Sequence, residues 1–211
     1  MPDPRPQAPS ARYERARART RTTLLGAARH VLADSGVEGA TIADIAARAG
    51  VSPGTFYNYF PDVPAVIDAL VDELIAYIDD VLDEVRTLDL APLERFAVGV
   101  DRLLRMPDRD PAWAWCLIRF EPTVVRLRDA LCERVALAPA PARRRPSARR
   151  EVVVADILIG TMMTSMLSRL QGRADSAQNH LVAEAMLRAF GVAGDDARAA
   201  AAVIDPRRPA H

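Results

Sequence analysis

Apolar residues along this chain recur at three- and four-residue spacing, and no stretch shows the strict apolar–polar alternation of a half-buried strand. Leu24, Leu25, Ala28, Val31 and Leu32 predict a helix over 22–35, ended by Gly36 in a left-handed cap with Val37 as its hydrophobic contact. Ile42, Ile45, Ala46 and Ala49 predict a short second helix, opened by Thr41 with Asp44 at the capping-box position and closed by Gly50. Ser52 and Pro53 restart the chain as N-cap and first helical residue, and Phe56 and Phe60 can face inward. Asp62 caps a long helix carrying Val66, Ile67, Leu70, Val71, Leu74, Ile78, Val81, Leu82 and Val85. Further stripes follow over 89–106, on a short helix opened by Asp110-Pro111, over 124–135, over 151–170, and from Leu181 to Phe190. The expected fold class is all-α, with about nine helices in total.

The pair of short helices at 41–60 places Pro53, Gly54, Thr55, Tyr57, Asn58 and Tyr59 on an outer face rich in hydroxyls and an amide, without a carboxylate. A helix-turn-helix needs this kind of face to enter a major groove lined by phosphates. A merely packed helical hairpin would give the same periodicity. The residue identities go further: Thr41, Ile45, Ala46, Ala49-Gly50-Val51-Ser52, Gly54, Tyr57 and Tyr59-Phe60 resemble the N-terminal domain of the TetR-like transcriptional regulators, over about residues 22–70. The resemblance implies a three-helix DNA-binding head followed by a helical body that binds an effector and dimerises. The expected partners are double-stranded DNA, as a palindromic operator, a second copy of the chain, and a small-molecule effector. Thr41, Ser52, Pro53, Gly54, Thr55, Tyr57, Asn58 and Tyr59 are the expected DNA-binding residues, with Asn58 suited to a bidentate pair with adenine. One position departs from the family: Val63 stands where a phosphate-binding Lys is common.

Charge adds a local feature to a neutral whole. The chain has 28 basic and 28 acidic residues, and every basic one is Arg. Residues 1–21 hold six Arg against Asp3 and Glu14, interleaved with Pro2, Pro4, Pro6 and Pro9. This segment reads either as a solvated tail or as an arm that adds phosphate contacts. The expected organisation is a disordered arm over 1–19, the DNA-binding domain over 20–64, the body over 65–193 and a flexible tail over 194–211. No run approaches the roughly 20 apolar residues of a membrane span. Cys116 and Cys132 have neither disulfide-framework nor metal-ligand spacing, and His30, His180 and His211 are scattered, which fits a reducing cytoplasm. No metal cluster, phosphate loop or nucleophile elbow is present, so neither a cofactor nor an enzyme is expected.

Within the body, Trp113 and Trp115 lie two residues apart, and Phe96, Met106 and Phe120 lie on neighbouring segments. Such aromatic density serves core packing or lines a pocket. The resemblance favours the second, making these five the expected pocket for a hydrophobic or aromatic effector. On the helix over 151–170, Asp156, Gly160, Thr164 and Ser168 form an i, i+4 stripe of small and polar groups, which reads as a solvated back face or as a close helix contact. In the family the last two long helices pair with their copies in a second subunit. That stripe, with Leu181, Val182, Met186 and Phe190, is the expected dimer interface. A ligand-released repressor is the leading reading. An effector-independent regulator or activator is the alternative, and a helical enzyme or interaction protein stands further back.

Overall fold

The computed structural model describes residues 11–119 and 148–205, and every regular element among them is helical. The chain divides into two compact units, Met1–Leu70 and Val71–His211, with the boundary inside one long helix. The first unit holds α1 (Ala11–Gly39), α2 (Ile42–Ala49), α3 (Pro53–Tyr57) and the start of α4 (Val63–Arg86). Leu24, Leu25, Ala28, Leu32, Ile45, Ala46, Phe56, Val66 and Leu70 are its buried residues, with α1 packed on α2 and α2 on α3.

Local chemistry fixes the ends of these helices. Thr41 Oγ1 accepts from the Asp44 amide at 3.2 Å and donates to the Asp44 carboxylate at 2.6 Å. Asp is one methylene shorter than Glu, so it meets the cap hydroxyl instead of reaching back to the Thr41 amide. Gly50 turns left-handed at φ 69°, ψ 30°, and its amide satisfies the carbonyls of Ala46 and Ala47. Asp62 accepts from the Ala65 amide at 2.8 Å and so caps α4.

Two expectations about α1 are corrected. The helix begins at Ala11, inside the segment expected to be a disordered arm over 1–19. From Ala11 to Arg21 the chain has no Gly or Pro, and Ala and Arg are strong helix formers that extend the register set by Leu24. The hydroxyls of Thr20, Thr22 and Thr23 return to carbonyls four residues back. At the other end, Gly36 has the expected positive φ of 74°, but ψ is 178° and the helix resumes to Gly39. Val37 is 40 % exposed and makes no buried cap contact.

The second unit takes the rest of α4, then α5 (Pro92–Leu104), α6 (Met106–Arg109), α7 (Pro111–Arg119), α8 (Ala148–Leu170), α9 (Asn179–Ala189) and α10 (Gly194–Ala201). Glu94 reaches back to the Ala91 amide at 2.8 Å to open α5, and Asp110 accepts from the Ala112 and Trp113 amides to open α7. Leu74, Ile78 and Val81 of α4 share a core with Val100, Leu103 and Leu104 of α5, Leu117 of α7, Leu158, Ile159 and Met166 of α8, and Met186 of α9. A Cβ on Gly99 of α5 would make an ordinary contact with Leu82 Cδ2 of α4 at 3.6 Å, so packing there does not demand Gly.

The expected flexible tail over 194–211 is also corrected. Residues 194–201 form α10, with Ala197, Ala200 and Ala201 buried. Ala197 and Ala200 pack beside Leu187, with Leu93, Phe96 and Val192 around them. Ala side chains give a weak hydrophobic signal, yet their small size allows a close helix approach.

Residues Val152–Leu170 of α8 are long and apolar enough to cross a membrane by length and composition, contrary to the expectation from the sequence. Val154, Ala155, Leu158, Ile159 and Met166 are buried in the core of the second unit, so α8 is a core helix with one face left uncovered by the described residues. Cys116 is buried. The expected helix over 124–135, Cys132 and Phe120 lie outside the described residues.

Candidate nucleic-acid interface and body pocket

The turn between α2 and α3 presents the outer face expected from the sequence. Ser52 caps α3: its Oγ accepts from the Thr55 amide at 3.1 Å and lies 2.9 Å from Thr55 Oγ1. Pro53 occupies the first turn, where it lacks no needed amide. Phe56 and Phe60 are buried with ring centroids 5.9 Å apart. Thr41, Ser52, Pro53, Gly54, Tyr57 and Asn58 are exposed, and Thr55 and Tyr59 half-buried. Tyr57 is 57 % exposed, yet its ring stands edge-on to Phe56 at 5.9 Å, so a core residue orients a surface one. A Cβ on Gly54 would meet nothing nearer than Ser52 Oγ at 3.8 Å, so internal packing does not demand Gly there. Its absence of a side chain instead leaves the first amides of α3 open to an approaching backbone. Thr41 is the qualified member of the set, because its hydroxyl proton already goes to Asp44.

Of the five residues expected to line an effector pocket, Phe96, Met106, Trp113 and Trp115 are described. Phe96 packs edge-on against Phe190 at 5.3 Å, and Met106 is buried in the core. Trp113 packs half-buried against that core, whereas Trp115 lies under the Arg119 guanidinium, 4.4 Å from the ring centroid. Two residues apart on a helix, the tryptophans point to different sides.

A pocket of about 180 Å³ opens elsewhere, where the end of α8 meets the turn into α9. Thr164, Ser165, Ser168, Arg169, Asp175 and Asn179 give it polar walls, with Leu104 and Val182 as apolar ones. None of the four described residues expected at a pocket lines it. Its Arg169 side chain is only 7 % exposed and donates to the Leu104 carbonyl, to Asp108 at 3.0 Å and to Asn179 Oδ1 at 2.7 Å. Asn179 Nδ2 in turn donates to Asp101 at 2.7 Å, and Arg105 Nε donates to the other Asp101 oxygen at 2.8 Å. The hydrogen bond that Arg105 donates to Asp101 raises the Arg105 pKa, burial opposes it, and the charges of Asp101 and Asp108 add to the rise. These groups tie α5, α6, α8 and α9 together beneath the pocket. Sequence reasoning missed them, and the one local signal was an Arg placed late in an otherwise apolar helix.

The expected dimer residues separate into two groups. Asp156, Gly160 and Thr164 are exposed on α8, beside Val152, Val153 and Ile157 at 41, 56 and 41 %. Leu181 on α9 is 55 % exposed, and a Cβ on Gly160 would meet no atom of the described residues within 4 Å. Val182 is half-buried, and Ser168, also half-buried, lines the pocket with it. Met186 and Phe190 are corrected. Met186 is 1 % exposed within its own chain's core, and Phe190 is half-buried against Phe96, because both fall on the inward side of α9.

Comparison with known proteins agrees with this arrangement. A family model described as "Bacterial regulatory proteins, tetR family" matches residues 24–70. A second, "Tetracyclin repressor-like, C-terminal domain", matches residues 91–203, more than half of the chain. An uncharacterized HTH-type transcriptional regulator, YvdT of Bacillus subtilis (strain 168), is 33 % identical over 81 residues, and the match spans 38 % of this chain and about a third (36 %) of that protein. The crystal structure of RolR in complex with resorcinol superposes with a TM-score of 0.60 at 26 % identity, covering 94 % of this chain and 98 % of RolR. A TetR-like regulator from Rhodococcus sp. RHA1 shares the fold, with a TM-score of 0.67 at 19 % identity over 82 % of this chain and 97 % of the other. With both halves of the helical architecture matched in order, the chain belongs to the TetR family, whose members are DNA-binding transcriptional regulators and not enzymes.

Proposed function

We propose that the protein is a homodimeric repressor that reads a palindromic operator and is released from it by a small aromatic effector. The observation that carries this reading is the outer face of α3, where Pro53, Gly54, Tyr57 and Asn58 are exposed while Phe56 and Phe60 are buried beneath them. Ser52, Tyr59 and the amides near Gly54 set the register on phosphates; Thr55, Tyr57 and Asn58 address base edges or adjacent backbone. A dimer follows from DNA geometry, since two recognition helices about 34 Å apart enter successive major grooves on one face. The apolar strip at Val152, Val153, Ile157 and Leu181 supplies the surface for pairing.

The effector reading draws support from RolR, which was solved with resorcinol, and from the hydroxyl-rich pocket near Arg169. Hydroxyl and guanidinium groups beside the apolar walls of Leu104 and Val182 suit a small hydroxylated aromatic molecule. Release requires that the effector bind the DNA-incompetent state more tightly than the competent one.

Selection of binders from random DNA pools at two salt concentrations tests the core of the reading. Enrichment of an inverted repeat is expected. Binding without sequence preference that collapses as salt rises would sink it. For the effector, dihydroxybenzenes are added to the complex with selected DNA, and release together with a change in tryptophan fluorescence is expected. No release by any of them would reject a hydroxylated aromatic as the trigger.

A further inference from the structure

The extension of α1 back to Ala11 gives the Arg-rich segment a defined geometry. It holds Arg12, Arg15, Arg17, Arg19 and Arg21, all exposed, against one acid, Glu14. The buried line of α1 runs through Leu24, Leu25, Ala28, Val31 and Leu32. At about 100° per residue, that line continues toward the N-terminus through Arg21 and then Arg17, one turn further out. Arg12, Arg15 and Arg19 fall on the opposite side of the helix.

The near side is tied to the recognition helix. The Arg21 guanidinium lies 5.3 Å from the centroid of the Phe60 ring. Phe60 stacks on Phe56, and Phe56 meets the exposed Tyr57, each at 5.9 Å. Arg21 is therefore two ring contacts from a side chain on the outer face of α3. Arg17 stands about 6 Å along the helix beyond it, past Leu24, the first buried core residue of α1.

We propose that Arg17 and Arg21 form a phosphate clamp, holding the DNA backbone just outside the half-site addressed by α3, while Arg12, Arg15 and Arg19 take no part. Guanidinium groups pair with phosphate oxygens through two parallel donors, which suits a fixed position on a rigid helix. The clamp rests on the DNA-binding reading and adds affinity without reading sequence.

The test compares two variants of the full chain that remove the same charge from opposite faces, R17Q and R15Q, on the duplex that the unaltered protein selects from random pools. R17Q removes one contact from each protomer, so it is expected to flatten the slope of log affinity against log salt by about 1.8, and the affinity loss between 50 and 200 mM salt shrinks about twelvefold. It should weaken all operator variants equally, and R15Q should leave the slope unchanged. R21K, which keeps the charge beside Phe60, should retain the slope that R21Q loses. Equal slopes for R17Q and R15Q, whether both altered or both unchanged, would overturn the clamp. If the unaltered protein selects no sequence, the operator reading fails instead, and the same salt comparison on an arbitrary duplex still decides the clamp.

Discussion

Asn58 shows how much one side chain can carry. It closes α3 in the right-handed region, its amide nitrogen bonds the Thr55 carbonyl at 3.2 Å, and its side chain is exposed. Asn58→Ala is expected to leave stability nearly unchanged and to erase about 1–3 kcal/mol of discrimination at one base pair per half-site, read by competition between operator variants. Equal discrimination in both proteins would show that Asn58 touches only backbone. Arg169 is the opposite kind of residue. Replacing it with Met removes three acceptors' shared donor and leaves Asn179 and the Leu104 carbonyl short of a partner, so a loss of about 1.5–3 kcal/mol is expected in urea unfolding. The exposed place of Asn58 at the end of α3 was legible in the sequence because it follows from a local motif. Arg169 was not, because its partners Asp108 and Leu104 lie 61 and 65 residues away, and Asn179 meets Asp101 across 78.

Helix ends were the most legible elements, and for a physical reason. A cap is settled within three or four residues, so Thr41, Gly50, Ser52 and Asp62 all stand where the sequence placed them. Gly50→Ala, forced to φ 69°, should cost the first unit about 1–2 kcal/mol, measured by thermal unfolding. Ser52→Ala should cost about 1 kcal/mol through loss of the bond to the Thr55 amide, and should loosen α3 along with operator affinity. Unchanged affinity in a Ser52→Ala protein would mean that α3 is held by Phe56 alone. The less legible elements lacked strong periodic signals. α10 packs through alanines, and the first turns of α1 carry arginines that composition alone assigns to a tail as readily as to a helix. The pocket near Arg169 was not legible for a related reason. Aromatic clustering at Trp113 and Trp115 spoke of burial, while the cavity formed where the polar end of α8 meets the following turn.

At the scale of the whole molecule, the uncovered strip of α8 is the feature to explain. Val152, Val153 and Ile157 stand exposed beside Gly160, where the described residues leave open space. Burying them against a second copy is the pairing proposed here, and sedimentation at micromolar concentration should find a dimer. Ile157→Glu sits on the surface of the lone protomer and so costs it little, but places charge in the proposed seam. The variant is expected to sediment as a monomer and to lose operator affinity. A monomeric variant that binds the operator as tightly as before would separate pairing from DNA recognition.

That strip also ties folding to abundance. If its apolar area is covered only by a twin, each tenfold dilution withdraws about 1.4 kcal/mol from the paired native state, and melting shifts downward as the solution thins. A newly made chain then meets its full stability only after it has met another. On the proposed pairing, the number of copies in a cell would set how much operator is occupied and also how long each copy survives as a folded protein.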